Sequence, residues 1–455
     1  MNAAEGAAVP PSSGFKTVLR YTGIPPSWLD KRPKLPSRNW LIFISVTSSI
    51  TGLYIYDRQQ CKAIRRKYIE KVQSLAEERV GSLYRPRKVT VYGGKWPGDE
   101  DHDQTLRYFR KYVKPILVAA AVDYVTIGGK RLGDIANRVA DDIKTRRRLE
   151  AGLDSPPEVF KQLPTYRTPR EERQAELDGG IVIIGRPTFK EFMVGLQRGW
   201  TEPLTKVDKD ELLAQELEMD GRFDEEDDPD RSYSPPQTAG PPSSATATSP
   251  PVPIPPLPPL LLVPFTDHLG FTQIPLMIWN FFNRRHDVRT GAEAAYELVM
   301  KHTRPFTPPP DVPEPLFSDI TTSSTNTSDS DVDFDKECEA YFRKSLSKIP
   351  AEDSKTREKY YAELKTKLET ARALARGTRE PTKDEIQNPP PTEVELRAER
   401  MKKEKRWRGD LQGWQIISPA TKVAWDERFR ETLSLYVDPP PDSGQNDAAP
   451  SAFHD

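Results

Sequence analysis

Trp40 to Tyr56, WLIFISVTSSITGLYIY, is the longest run of the chain free of both charge and proline, and the remainder must be arranged around it. A bilayer-spanning helix needs about 20 mostly apolar residues, within a range of roughly 17–25, and this run lies at the short end. Ser45, Thr47, Ser48, Ser49, Thr51 and Gly52 dilute it, so a helix buried in a protein core is the competing reading. The flanks favour the membrane. Trp40, Tyr54 and Tyr56 mark its ends as interfacial aromatics do, with Lys34 and Arg38 before it and Arg58 and Lys62 after it. Small residues within the run suit packing against another helix. A signal peptide would carry a small-residue cleavage site after its apolar region, and Tyr-Ile-Tyr-Asp-Arg is not one. Basic residues on both flanks leave the orientation open on charge alone.

Composition limits how much of the chain can fold around this run. Of 455 residues, 30 % are charged, 36 % hydrophobic and 45 are proline, so long stretches cannot bury enough apolar surface to offset ordering entropy. A net charge of −1 argues against nucleic acid as a partner. Cys61 and Cys338 are far apart in unlike surroundings, which suggests neither a disulfide framework nor a metal site. His268, His286 and His302 stand singly and read as ordinary side chains. No cofactor or metal is therefore expected.

Residues 1–39 read as an extended, basic, Pro-containing tail, 40–56 as the transmembrane helix, and 57–84 as a basic helical stalk with Ile64, Tyr68, Val72 and Leu75 on one face. Lys88 to Tyr92, KVTVY, opens an α/β domain over 85–205. A Gly/Pro loop leads to a helix with Leu106, Phe109, Val113, Ile116 and Leu117 inward, perturbed by Pro115. VDYVTI, 122–127, is a second strand, and Arg131 to Lys144 a helix burying Leu132, Ile135, Val139 and Ile143. This βαβ spacing predicts a parallel sheet covered by helices. Ile181 to Ile184 is apolar on both faces, as a central parallel strand requires, with a helix from Phe189. Residues 206–259 read as an acidic and Pro-rich disordered linker, and 260–306 as an apolar segment completing the domain. A second disordered linker is expected over 307–352. A helical region over 353–437 follows, with Trp407, Trp414 and Trp425 anchoring a small satellite core, and then a disordered tail over 438–455.

Two loops invite a chemical reading. Gly93-Gly94-Lys95 follows a strand but lacks the G-x-x-x-x-G-K-[ST] spacing with which backbone amides surround a phosphate. DGGIVIIGRPTFKEFMVGL resembles the diacylglycerol and sphingosine kinase family, whose nucleotide loop reads G-G-D-G-T between a strand and a helix. Gly185, Thr188, Glu191, Gly195 and Leu196 match that pattern, and VKPILVAAAVDYVTI resembles the same family's first helix and second strand. Arg186 stands where the family has its acidic residue, Pro187 where it has the loop's last glycine, and Ile184 where it has the first. Proline lacks the N–H donor and arginine reverses the charge available to a metal–phosphate. The resemblance thus implies a shared lipid-kinase-like fold without the kinase loop chemistry, and no catalytic residue is assigned.

Taken in order, GFKTVLRYTGIPPSWLDKRPKLPSRNWLIF, the YDRQQCKAIRRKY stalk, VYGGKWPGD, YVKPILVAAAVDY and LGFTQIPLMIWNFFNRR resemble the fungal Tim-fifty-four family of mitochondrial inner-membrane translocase subunits. The resemblance implies a non-enzymatic scaffold of the carrier translocase, supporting insertion of multi-spanning carriers. It implies a matrix-side N-terminus and a large domain in the intermembrane space. Its expected partners are other translocase subunits, small intermembrane-space chaperones carrying precursors, and membrane lipids. The alternative is a membrane-bound lipid kinase using an unfamiliar loop, for which Thr188-x-x-Glu191 is the support.

Overall fold

A computed structural model describes residues 37–77, 87–154, 168–223, 253–309 and 330–438. The tail before residue 37, the Pro-rich tract up to 252, the Ser/Thr/Asp tract up to 329 and the end beyond 438 lie outside the described residues. The chain divides into two units at Gln59.

The first unit is built on the helix α1, Arg38–Ala76, whose N-terminal part it contains. Every residue from Trp40 to Tyr56 is exposed. Thr47 donates to the Phe43 carbonyl at 2.8 Å and Ser49 to the Ser45 carbonyl at 2.8 Å, so these hydroxyls are satisfied within the helix itself. The expectation of a spanning helix is corrected in one respect: among the described residues no helix is long and apolar enough to cross a membrane. Six Ser, Thr and Gly residues inside a short run lower its mean hydropathy too far.

The second unit is a six-stranded sheet in the order β2-β1-β3-β4-β6-β5: β1 Lys88–Gly93, β2 Asp123–Gly128, β3 Ile181–Ile184, β4 Leu260–Val263, β5 Thr303–Pro305 and β6 Ser434–Tyr436. β2, β1, β3, β4 and β6 run parallel, and β5 pairs antiparallel with β6. The expected mostly parallel α/β sheet is thus present. Alternation splits the central strands between two cores. Val89, Val91, Val182, Ile184, Leu261 and Val263 share the first, and Tyr92, Ile183 and Leu260 the second.

α2, Gln104–Tyr108, continues through a π turn, Phe109–Val113, into α3, Lys114–Ala119. The Lys111 carbonyl, in this π turn just before Pro115, accepts the Arg65 guanidinium at 3.2 Å. The apolar face of the expected stalk packs on the domain: Cys61 and Val72 are buried in the first core, with Ile64, Tyr68 and Ile69 packed beside them. α9, Arg285–Met300, covers the same face. The second core is covered by α4, Asp134–Glu150, and α6, Arg186–Thr201. α5, Pro169–Gly179, leads into β3 behind a capping box of Thr168 and Glu171.

Several stretches expected as linker are ordered. α7, Lys209–Met219, is capped by Asp208, and Ile254 is buried in the second core. Asp331–Asp333 forms a 3-10 turn, and α10, Glu339–Ala375, follows, with Phe342 and Leu346 in the first core. Polar composition hid these segments because each buries fewer than one side chain per turn, Leu213 alone in α7. The C-terminal region holds the short α11, Lys383–Gln387, and α12, Glu393–Ile417, and it is not purely helical, since it supplies β6. Its tryptophans serve three cores. Trp407 packs in a satellite with Tyr360, Leu364 and Leu396, Trp414 joins the first core, and Trp425 stacks on Phe306 at 5.4 Å in the second. α8, Ile274–Phe282, has no buried residue.

Candidate functional site

The strand order reverses between β1 and β3, and ligands of open parallel sheets bind in the crevice at such a point, beyond the carboxyl ends of the strands. Both loops singled out in the sequence converge here. β1 ends at Gly93 and Gly94 follows it, and after β3 come Gly185, Arg186, Pro187 and Thr188 opening α6. The turn needs glycine at 185, where φ is +79°.

The crevice is occupied by the chain's own side chains. The Gly94 amide donates to Thr188 Oγ1 at 2.8 Å, and Thr105 Oγ1 donates to the Gly94 carbonyl at 2.9 Å. A Cβ on Gly94 would lie 3.0 Å from Thr188 Oγ1, so this glycine admits a side chain of the protein rather than a phosphate. Arg186, 4 % exposed, turns inward and donates to Glu339 at 2.8 Å and to the Val332 and Phe334 carbonyls. Lys190 reaches Glu339 at 2.8 Å and the Ser418 carbonyl at 3.0 Å. Burial pulls its ammonium below the usual lysine range against the pull of Glu339. Arg186 and Lys190 are thus both committed to one buried carboxylate, delivered by a stretch expected as linker.

The remaining matches to the kinase pattern are structural as well. Glu191, fully buried, accepts the Ile135 amide at 3.0 Å in the first turn of α4 and caps that helix. Burial raises its carboxyl to about 7, against the lowering effect of the Gly133, Ile135 and Ala136 amides. Gly195 lets α6 approach α4, since a Cβ there would lie 2.6 Å from the Ala136 carbonyl oxygen. Thr188-x-x-Glu191 therefore ties a loop to a helix and caps a second helix. Among the described residues no group of three or more His, Cys, Asp or Glu side chains could hold a metal ion. Sequence reasoning placed Gly185, Arg186, Thr188 and Glu191 together but missed Glu339, whose only local signal was a carboxylate at the start of a helical pattern.

Fold and crevice together define an α/β domain of nucleotide-crevice architecture whose switch point is filled from within. Residues 16–239 match the family described as inner membrane protein import complex subunit Tim54. A mitochondrial import inner membrane translocase subunit TIM54 of Cryptococcus neoformans is 36 % identical over 94 % of this chain and 95 % of its own length. Relatives with the same description occur in Aspergillus oryzae, 38 % identical over 38 % of this chain and 39 % of its own, and in Candida albicans, 29 % identical over 66 % and 86 %. The chain belongs to the Tim54 family.

Proposed function

We propose that this chain is a non-enzymatic scaffold subunit of the mitochondrial inner membrane translocase that inserts multi-spanning carriers. It is held at that membrane by Trp40–Tyr56, with its N-terminus in the matrix and residues 57–455 in the intermembrane space. The observation that carries the scaffold reading is the crevice closed by Thr188 and by the Arg186–Glu339–Lys190 cluster. A phosphoryl-transfer site must position nucleotide phosphates and a cation against an acceptor, and these contacts already commit Thr188, Arg186 and Lys190 to the chain itself. The relatives' descriptions support assembly with other translocase subunits. Docking of small precursor-carrying chaperones and contact with lipids are the finer parts of the proposal.

Attachment through Trp40–Tyr56 is supported by its uninterrupted exposure and by the hydroxyls bonded back to the helix. A backbone-satisfied hydroxyl is cheaper to place in lipid than a free one, which partly offsets the low hydropathy.

The test is purification of the full chain from mitochondria in mild detergent. Co-recovery of other inner membrane translocase subunits is expected, and recovery of the chain alone would overturn the scaffold reading. In mitochondria with ruptured outer membranes, protease is expected to remove the large domain; its protection would overturn the orientation. ATP-dependent phosphorylation of diacylglycerol by the purified chain, lost in Thr188→Ala, would restore the kinase alternative.

A further inference from the structure

α8, IPLMIWNFF, is a 9-residue helix without one buried side chain. Ile274, Leu276, Met277, Ile278, Trp279 and Phe281 are all exposed, Trp279 at 65 %, and Phe271 in the preceding turn is 92 % exposed. At 100° per residue these positions ring the helix, and Asn280 is its one polar side chain. A helix seated in a protein groove buries one stripe and keeps a polar face for water. A helix apolar all round needs an apolar surrounding on every side. An open cleft of about 1040 Å³ lies beneath it, so the body of the protein does not provide that surrounding.

Length and charge specify what does. Nine residues span about 14 Å, less than half of the roughly 30 Å hydrocarbon core, so α8 can lie in a bilayer interface but not cross it. Its C-terminal end carries Trp279, Phe281 and Phe282, followed after Asn283 by Arg284 and Arg285, the order in which interfacial aromatics and phosphate-seeking cations occur. The Arg284 guanidinium lies 5.7 Å from the Phe281 ring centre. Arg107 and Lys111 line the cleft beside Asp267 and Asp287, and Arg289 follows one turn into α9.

We propose that α8 embeds in the acyl layer just beneath the headgroups of one leaflet of an anionic bilayer, as a membrane contact additional to Trp40–Tyr56, with Arg284 and Arg285 at the lipid phosphates. The inference stands on α8 alone and does not require the first segment to span.

The experiment places an environment-sensitive fluorophore at Ile278→Cys, or at Phe271→Cys should the former fail to fold. The full chain is reconstituted in phosphatidylcholine vesicles with or without phosphatidylglycerol, containing a shallow spin-labelled lipid as quencher. Native Cys61 and Cys338 are buried, and the unsubstituted chain provides the blank. The fluorophore is expected to lose most of its emission with phosphatidylglycerol present, less without it, and little in the Arg284→Glu/Arg285→Glu background. A label at Glu363→Cys on α10 stays bright. Ser49→Cys reports separately on the first segment. Quenching at 49 with none at 271 or 278 overturns this inference and leaves the anchor standing, and the reverse pattern overturns the anchor alone. A label shielded only by cross-linking to a second copy, or only when a translocase subunit is added, would overturn it in favour of a protein occupant.

Discussion

Proline creates an acceptor in this molecule that a distant residue fills. Pro350, inside α10, frees the Leu346 carbonyl, which accepts Trp414 Nε1 at 2.9 Å. Trp414→Phe keeps most of the packing and strands that carbonyl, at a cost of about 1–3 kcal/mol. The expected signature is a double-mutant cycle by urea unfolding: Trp414→Phe costs less in the Pro350→Ala background, where the chain supplies its own N–H. Glu191 gives a second prediction at this scale. Its folded-state carboxyl titrates at about 7 against an ordinary 4.5, raised mainly by burial, so the native state holds the proton more tightly than the unfolded chain. Its contribution is therefore full below about pH 4.5 and is lost as pH rises to about 7. Glu191→Gln removes that dependence, so the stability of the variant relative to wild type is expected to climb between these values and level off above. A flat difference curve from chemical unfolding across this range would show that the carboxyl titrates normally. Composition and motif together drew attention to Arg186 and Glu191; their roles were not legible, because a match to a loop pattern does not say which partner the fold brings opposite.

Among the elements, α12 shows how close approach depends on glycine. Gly413 presses on the Leu132 backbone, where a Cβ would overlap the Leu132 carbonyl, and Gly133 opposite has φ +85° with the Gly413 Cα 3.0 Å from its own missing Cβ. One turn earlier, Gly409 has nothing within 4 Å. The same substitution therefore has opposite signs on one helix. Gly409→Ala should raise stability by roughly 0.5–1 kcal/mol through helix propensity, and Gly413→Ala should lower it by about 1–3 kcal/mol through overpacking. Thermal midpoints moving in the same direction would refute the α12 placement. Strands β1 and β3 and helices α4 and α6 were readable because each carries a full apolar face over several residues, and β2 because its β-branched and aromatic residues follow at βαβ spacing. α7 and the turns before α10 were not, because their few anchors sit in polar, charge-rich sequence whose periodicity is that of a solvated face.

On the scale of the whole molecule, the sheet is closed by a strand far from the others in sequence. β6 lies between β4 and β5, with Leu433, Leu435 and Tyr436 buried, and Arg87 donates to the Tyr436 hydroxyl and to the Leu298 carbonyl, each at 2.7 Å. Leu435→Asp places a carboxylate in the second core and is expected to cost several kcal/mol, comparable to Val182→Asp in the central strand. An unchanged thermal midpoint for Leu435→Asp beside a lowered one for Val182→Asp would make the C-terminal region an independent unit. The amino-acid sequence by itself determined the parallel α/β class, the apolar run before it, and the departures at Ile184, Arg186 and Pro187, since these depend on local periodicity and on side-chain chemistry at single positions. Only the tertiary structure decided that Glu339 pairs with both Arg186 and Lys190, that Trp414 answers Pro350, and that β6 lies between β4 and β5. Such pairings join residues tens to hundreds of positions apart, and they are selected by the geometry of the packed chain rather than by any pattern along it.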